Sequence, residues 1–486
     1  MDANSQTHFQ RFVAAGRPVG EVIAVKGFLI EVKGLQPVNV RSTVMFEDGS
    51  KGFVSHILEN HLIVLHMGNV NLQVGMVVVL ESDNTTTRVG KDFIGRVISV
   101  SGEPLDGKGA IAADADWPVF NTAPPIYARE LLNDQLETGL TLIDALFPIV
   151  RGQRLALLGD SKSGKSTLAT QIAINQRSTD QIVVYVLIAK RRSDVDALLT
   201  RLNDNKALQK AIVVVSTIFD SLVMSYLAPY VGCALAEYIW QTTNQDTVII
   251  YDDLTAHAHA HREISLLSGV SPGRDSYPGD MFHAHSSLLE RAGRLKSNHK
   301  CLTSIPVVLA DGGDITGFLP TNVMSITDGQ WILDMDIFRQ GLRPAVNVGL
   351  SVTRVGGRGH NARQKAQNDK LLKTLSSYRE AEAFSRFGSE LSAETQKTVI
   401  LGRHINELFT QVPGETYNLA TQQLMLESLL ESDSLQGVKI AKLKESAAEL
   451  SSSIKVEEDF PKVLAELKSK TTIVQAAEPV AKEAQP

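Results

Sequence analysis

The segment from Ala156 to Gln171, "ALLGDSKSGKSTLATQ", constrains the fold of this chain more than any other. An apolar run leads into Gly159, the loop carries the spacing G-x-x-x-x-G-K-[ST], and a helix-compatible run follows. Strand, glycine loop and helix in that order form a phosphate-binding unit, because the two glycines let the backbone curl and turn consecutive N–H groups inward. The start of the helix adds the positive end of its dipole. Gly159, Asp160, Ser161, Lys162, Ser163 and Gly164 are therefore expected to cradle a polyphosphate, with ATP or ADP as the ligand. Lys165 is placed to reach the terminal phosphates, and the Ser166 hydroxyl to meet Mg²⁺. A chance glycine-rich turn would lack the strand before it and the helix after it.

The rest of the 486 residues divides by pattern. From Val22 to Glu81, short β-branched runs such as "EVIAVKGFLIEVKG" and "QVGMVVVLE" are punctuated by glycine, which predicts a small barrel. From Gly90 to Gly359 strands alternate with longer helical stretches, as in an α/β parallel sheet. From Ala366 to about Leu467 the apolar positions fall at helical spacing, and the closing "QAAEPVAKEAQP" has too little apolar surface to order itself. The expected fold is multidomain. A small N-terminal β-barrel occupies residues 1–90, a central α/β P-loop (RecA-like) nucleotide-binding domain 91–362, and a C-terminal α-helical bundle with a frayed tail 363–486.

Composition removes several function classes. A net charge of -6 argues against a chain that wraps nucleic acid, which would need a basic surface. Two cysteines, Cys233 and Cys301, cannot build a disulfide framework and suit a reducing compartment. No run approaches the length of about 18 apolar residues that a membrane span needs, and the start "MDANSQTHFQRF" lacks a signal peptide's apolar core. Any membrane attachment is expected through partners.

A P-loop needs a second carboxylate for Mg²⁺, usually at the end of an apolar strand. In "TVIIYDDLT", Val248 to Tyr251 form such a strand, and Asp252 and Asp253 emerge at its C-terminal end, where ligands of open α/β sheets bind. Asp252 is the expected metal ligand. The competing role for the pair is helix capping, a position that Asp favours.

Five longer segments now carry a resemblance: "ETGLTLIDALFPIVRGQR", "YDDLTAHAHAHREISLL", "SPGRDSYPGDMFHAHSSLLERA", "LPTNVMSITDGQ" and "GLRPAVNVGLSVTRVGG". Together they resemble the α subunit of the F-type rotary ATP synthase. The resemblance implies a chain that alternates with β subunits in an α3β3 ring around a γ central stalk. It further implies a δ and b peripheral stalk, a membrane sector of a and c subunits, and a peripheral position on the cytoplasmic face of a bacterial inner membrane.

The family's catalytic subunits position the attacking water with a glutamate after the strand that follows the P-loop helix. Here that strand, "QIVVYVLI", runs into Ala189, Lys190, Arg191 and Arg192, where α subunits typically carry glutamine at the position of Lys190. An ammonium cannot accept a proton from water. The site is expected to bind ATP and leave it intact, and "KRR" reads otherwise as a solvated loop. Arg354 in "SVTRVGG" matches the α-family arginine that reaches into a neighbouring β site, and Ser351 matches a position the family needs for activity. Phe338, Arg343 and Pro344 resemble the wall of the base pocket, and Gln411 matches one glutamine of the helical domain. A second family glutamine aligns near Pro413, which has no amide.

The departures from the family pattern point to a divergent or alternative copy. Ser161 and Lys162 stand where arginine and glutamine are usual, Gly269 and Val270 replace an arginine pair, and about twenty residues precede the barrel, so the N-terminal helix of the family is expected to be reduced. His257 and His261 share a helix spacing, without the H-E-x-x-H pattern of a metal site. Two other readings compete: a self-sufficient hexameric P-loop ATPase of secretion or RNA-translocation type, and a ring-forming structural paralog that has lost coupling. The first would want a glutamate near Lys190 and a basic channel.

Overall fold

The computed structural model describes residues 3–69, 72–386, 392–432 and 438–471. The tail "QAAEPVAKEAQP" lies outside them. The chain forms two compact units. One holds Met1–Leu136, Ile149–Gln340 and Ala345–Gly359, and the other holds Glu137–Pro148, Gly341–Pro344 and His360–Pro486.

Six antiparallel strands open the first unit: Val19–Lys26, Leu29–Lys33, Thr43–Phe46, Lys51–Ile57, Leu62–His66 and Val77–Ser82. They close into a barrel, which leaves no free sheet edge. Alternation puts Val22, Ile30, Val32, Val44, Val54, Val64 and Val78 inside, all fully buried. A helix, Ala3–Ala14, precedes the barrel and seats Phe9 against Met45 and Val79.

The central sheet runs in the order Val352–Thr353, Gly329–Leu333, Ala156–Gly159, Cys301–Leu309, Thr247–Asp252, Ile182–Lys190, Ala211–Thr217 and Val97–Ser99. All neighbouring pairs are parallel except the first, which is antiparallel. The strand Thr247–Asp252 is buried along its whole length, as a strand covered on both faces must be. Parallel order has a direct consequence for chemistry. It brings the C-terminal ends of Ala156–Gly159, Thr247–Asp252 and Ile182–Lys190 to one edge.

The helix Leu222–Thr242 is long and apolar enough to cross a membrane by length and composition, yet it is mostly buried within this unit. Its apolar surround explains the length of the run. Inside it, Glu237 is fully buried and takes a two-pronged ion pair from Arg291, whose Nε and Nη2 lie 2.8 and 2.6 Å from the two carboxylate oxygens. Trp117 Nε1 and Asn121 Nδ2 donate to the same carboxylate at 3.2 and 3.1 Å. The charge that burial strips of water is thereby answered by donors on both oxygens.

In the second unit the helices Ala362–Arg386, Ala393–Phe409, Leu419–Leu430, Ile440–Ser451 and Phe460–Thr471 bury Leu371, Leu408, Leu424, Leu443 and Leu467. The segment Glu137–Pro148 packs with them, held by Asp144, whose carboxylate accepts from Thr138 N at 3.0 Å and from Gln422 Nε2 at 2.8 Å.

Arg291→Met would leave Glu237 charged and unpaired in the core, so it is expected to cost the first unit about 3 to 5 kcal/mol. The exposed pair of Arg339 with Asp336 is the control, and Arg339→Met should cost under about 1 kcal/mol. Urea unfolding of both variants checks this, and equal losses would contradict the account.

Candidate functional site

The loop after Ala156–Gly159 has the shape its glycines foretell. A Cβ on Gly159 would sit 2.6 Å from Ser163 Oγ and 2.9 Å from Leu333 Cβ, so the loop closes only on glycine. Gly164 holds φ at 100°, a left-handed turn that starts the helix Lys165–Asn175. No side chain caps that helix start. Its first N–H groups have no acceptor within the helix and suit an anion. Lys165 Nζ donates to the Gly159 and Asp160 carbonyls at 2.8 and 2.7 Å, which folds the ammonium over the loop. Burial lowers its pKa, and the Asp253 and Asp252 charges oppose that shift. Asp160 Oδ1 accepts from Ser161 N at 2.6 Å, Lys162 is exposed with φ at 61°, and Ser163 Oγ is buried with no hydrogen-bond partner among the described residues. Ser166 is exposed at the mouth. Uncapped N–H groups, an ammonium and a hydroxyl fit a polyphosphate.

The two aspartates part ways. Asp253 Oδ1 accepts from Ala256 N at 2.8 Å and caps the helix Leu254–Leu267. Asp252 is buried at the strand end and caps nothing. Its Oδ2 accepts from the Tyr185 hydroxyl at 3.0 Å, and its Oδ1 lies 2.7 Å from Lys190 Nζ. The same ammonium donates to Asp253 Oδ2 at 3.0 Å.

Lys190 therefore leaves the solvated loop expected of "KRR". Arg191 and Arg192 are exposed, but Lys190 is turned inward. The pairing of Ile182–Lys190 with Ala211–Thr217 slips between Leu187 and Lys190, and Ala189 takes φ at 49° within that slip. A bulge of this kind re-aims the next side chain. Burial alone would push the Lys190 pKa down, but Asp252 and Asp253 outweigh it and hold it above the usual lysine range. Neither Lys190's role nor Tyr185's was visible in the sequence. The one signal was a lysine at a strand end, and its value depends on the register that sets Leu187 beside Asp252.

The remaining candidates stand on other segments of the chain. Arg354 is exposed, with its guanidinium donating to the Thr327 carbonyl at 3.3 Å and no salt bridge among the described residues. Ser351 is buried and its hydroxyl accepts from Ile332 N at 3.0 Å, so it fixes the loop that bears Arg354. Phe338 stands in the short helix Met335–Arg339, its ring 3.9 Å from the point a Gly164 Cβ would occupy. Arg343, Pro344 and Gln411 belong to the second unit. Both N–H groups of the buried Gln411 amide are taken by the Gly139 and Glu415 carbonyls at 2.9 Å, and its oxygen accepts from Thr141 N at 2.7 Å.

The histidines form a buried stack. His257 Nδ1 lies 3.2 Å from His285 Nε2, the His257 ring stacks on Tyr226, and burial lowers the pKa of both histidines, which keeps them neutral. Cys233 and Cys301 are buried and unpaired, their thiols pushed up by burial to about 11 and about 12.

Gly159→Ala would drive a methyl into Ser163 and Leu333 and open the loop. ADP affinity of the full-length protein, measured by titration calorimetry, is expected to fall by about tenfold or more, since losing one aligned charge-assisted donor set costs upward of about 1.4 kcal/mol. Unchanged affinity would contradict the cradle.

Comparison with known proteins agrees with this geometry. Residues 139–353 match the model of the nucleotide-binding domain of the ATP synthase alpha/beta family, and residues 362–484 match that of the C-terminal domain of the ATP synthase alpha/beta chain. A protein of Dehalococcoides mccartyi named ATP synthase subunit alpha is 38% identical over 431 residues, covering 88% of this chain and 85% of that one. One of the same name from a Sulfurovum species is 39% identical over 398 residues, covering 81% and 79%. With a P-loop, a carboxylate strand end and a helical unit arranged as described, and with likeness running through most of its length, the chain belongs to the ATP synthase subunit alpha family.

Proposed function

We propose that this protein serves as the noncatalytic, nucleotide-binding α subunit of a membrane-attached F-type ATP synthase, supporting ATP synthesis or hydrolysis coupled to proton or sodium transport. The observation that carries the noncatalytic part is the engagement of Lys190 with Asp252 and Asp253. Hydrolysis needs a base within hydrogen-bond reach of the attacking water. Lys190 offers only donors. Asp252 Oδ2 holds the Tyr185 hydroxyl and its Oδ1 lies against the Lys190 ammonium without an aligned hydrogen bond, while Asp253 is divided between its helix cap and the same ammonium. ATP can be held at such an edge with nothing to take the proton from water.

In this reading the loop from Gly159 to Gly164 wraps the phosphates and Lys165 swings from the loop carbonyls to the terminal ones. Mg²⁺ that enters with the nucleotide would be held by the Ser166 hydroxyl and Asp252, the latter sharing its charge with Lys190. It would neutralise phosphate charge. Phe338, Arg343 and Pro344 are each proposed as base contacts on the resemblance alone, while the Gln411 amide is already committed to Gly139, Glu415 and Thr141. Arg354, exposed and without an acidic partner among the described residues, is proposed to complete the site of a neighbouring β subunit, with Ser351 positioning its loop. The partners follow the family: β subunits in an α3β3 ring, γ, δ and b, and the a and c subunits of the membrane sector. The protein would then sit at the cytoplasmic face of a bacterial inner membrane, with domains at residues 1–90, 91–362 and 363–486 dividing the work.

Two outcomes test this. The full-length protein should bind ATP at equilibrium, and Lys165→Ala should abolish that binding; retained binding would place the nucleotide elsewhere. In a ring reconstituted with its β partner, Arg354→Ala should leave ATP binding to this subunit unchanged and cut turnover by about 10³ to 10⁵, with Arg354→Lys rescuing poorly because a point charge lacks the planar fork. Turnover within a few-fold of native in an intact mutant ring would reduce Arg354 to an interface residue.

A further inference from the structure

At the sheet edge beside the P-loop, two carboxylates meet two ammonium groups. Asp252 and Asp253 share Lys190 at 2.7 and 3.0 Å, and Lys165 lies folded over the adjoining loop. A phosphate-binding site with two unpaired carboxylates at its mouth repels the anion it is built for, and a divalent cation ordinarily removes that repulsion. Here the protein supplies a cation of its own. Lys190 is held in place by a bulge, by two acidic partners and by a side chain mostly out of solvent, so it is a fixed charge rather than a mobile surface lysine.

We propose that the Lys190 ammonium is a resident cation at this site, so that the protein takes up a nucleoside di- or triphosphate with little dependence on Mg²⁺. The inference rests on the reading that the P-loop binds nucleotide. With one of their two negative charges cancelled by Lys190, Asp252 and Asp253 repel the polyphosphate less and leave less for a metal ion to neutralise beside it. The Tyr185 hydroxyl donates to the other Asp252 oxygen, so a Mg²⁺ that enters with the nucleotide shares that carboxylate with Lys190 and Tyr185. An incoming Mg²⁺ must compete with Lys190 for Asp252, whereas the phosphates meet only donors: loop N–H groups, Lys165 and the Ser166 hydroxyl.

The test is ADP binding to the full-length protein by titration calorimetry, in millimolar Mg²⁺ and again in excess chelator. In the native protein the dissociation constant should change by less than about threefold on removing Mg²⁺. In Lys190→Gln, with that positive charge gone, it should rise by about tenfold or more, the effect of removing one partly buried charge from the edge that holds the anion. A native protein that loses about tenfold on chelation, or a Lys190→Gln variant with the native ratio, overturns the proposal. Lys190→Arg keeps the charge and should keep the weak dependence, which supplies a second arm if Lys190→Gln fails to fold by circular dichroism. The two levels of failure separate cleanly. Binding that demands Mg²⁺ sinks only the resident-cation inference, while no ADP binding in either condition removes the nucleotide site and this inference with it.

Discussion

Two carboxylates emerge from one buried strand end, and the chemistry of the site follows from how their charge is answered. Leaving Asp252 buried and unpaired would cost several kcal/mol, so some cation has to stand beside it. In this protein the cation is covalently attached. Lys190 stands against Asp252 and Asp253 together, and an ammonium there offers donors only, where a carboxylate could have accepted a proton from water. One side chain thus answers the buried charge and, in the function proposed above, bears on nucleotide retention and on the lack of a base.

That interaction exists because of the sheet. Parallel order sets the strand Ile182–Lys190 beside Thr247–Asp252 with Leu187 opposite Asp252, and the bulge at Ala189 turns the next residue across the gap. The P-loop strand lies two places away from Thr247–Asp252, separated by Cys301–Leu309, so the cradle and the charged trio share an edge. The barrel and the buried Arg291–Glu237 pair hold the same unit together without touching this chemistry.

Much of this was legible in the residues. Glycine spacing announced the cradle, since φ of 100° at Gly164 and the contact at Gly159 admit little else, and β-branched alternation announced the barrel. The separation of Asp252 from Asp253 was half legible: Asp252 was the expected metal ligand with capping as the competing role for the pair, and the structure gives the cap to Asp253. Lys190 was not legible. A sequence shows a lysine beside two arginines, and only strand register plus a one-residue slip tells an inward ammonium from a solvated one. The helix Ala3–Ala14 is likewise a feature that a short polar N-terminal segment does not declare.

Nucleotide held and left intact is the centre of the account, and a single-turnover experiment addresses it most directly. The full-length protein, in excess over γ-labelled ATP, is quenched with acid at intervals, and the recovered label is separated into ATP and phosphate. The account predicts that the bound label remains ATP over hours, at the rate of loss seen with Lys165→Ala, which lacks the site. Release of labelled phosphate by the native protein well above that background would mean that a base operates beside Lys190, and would contradict it.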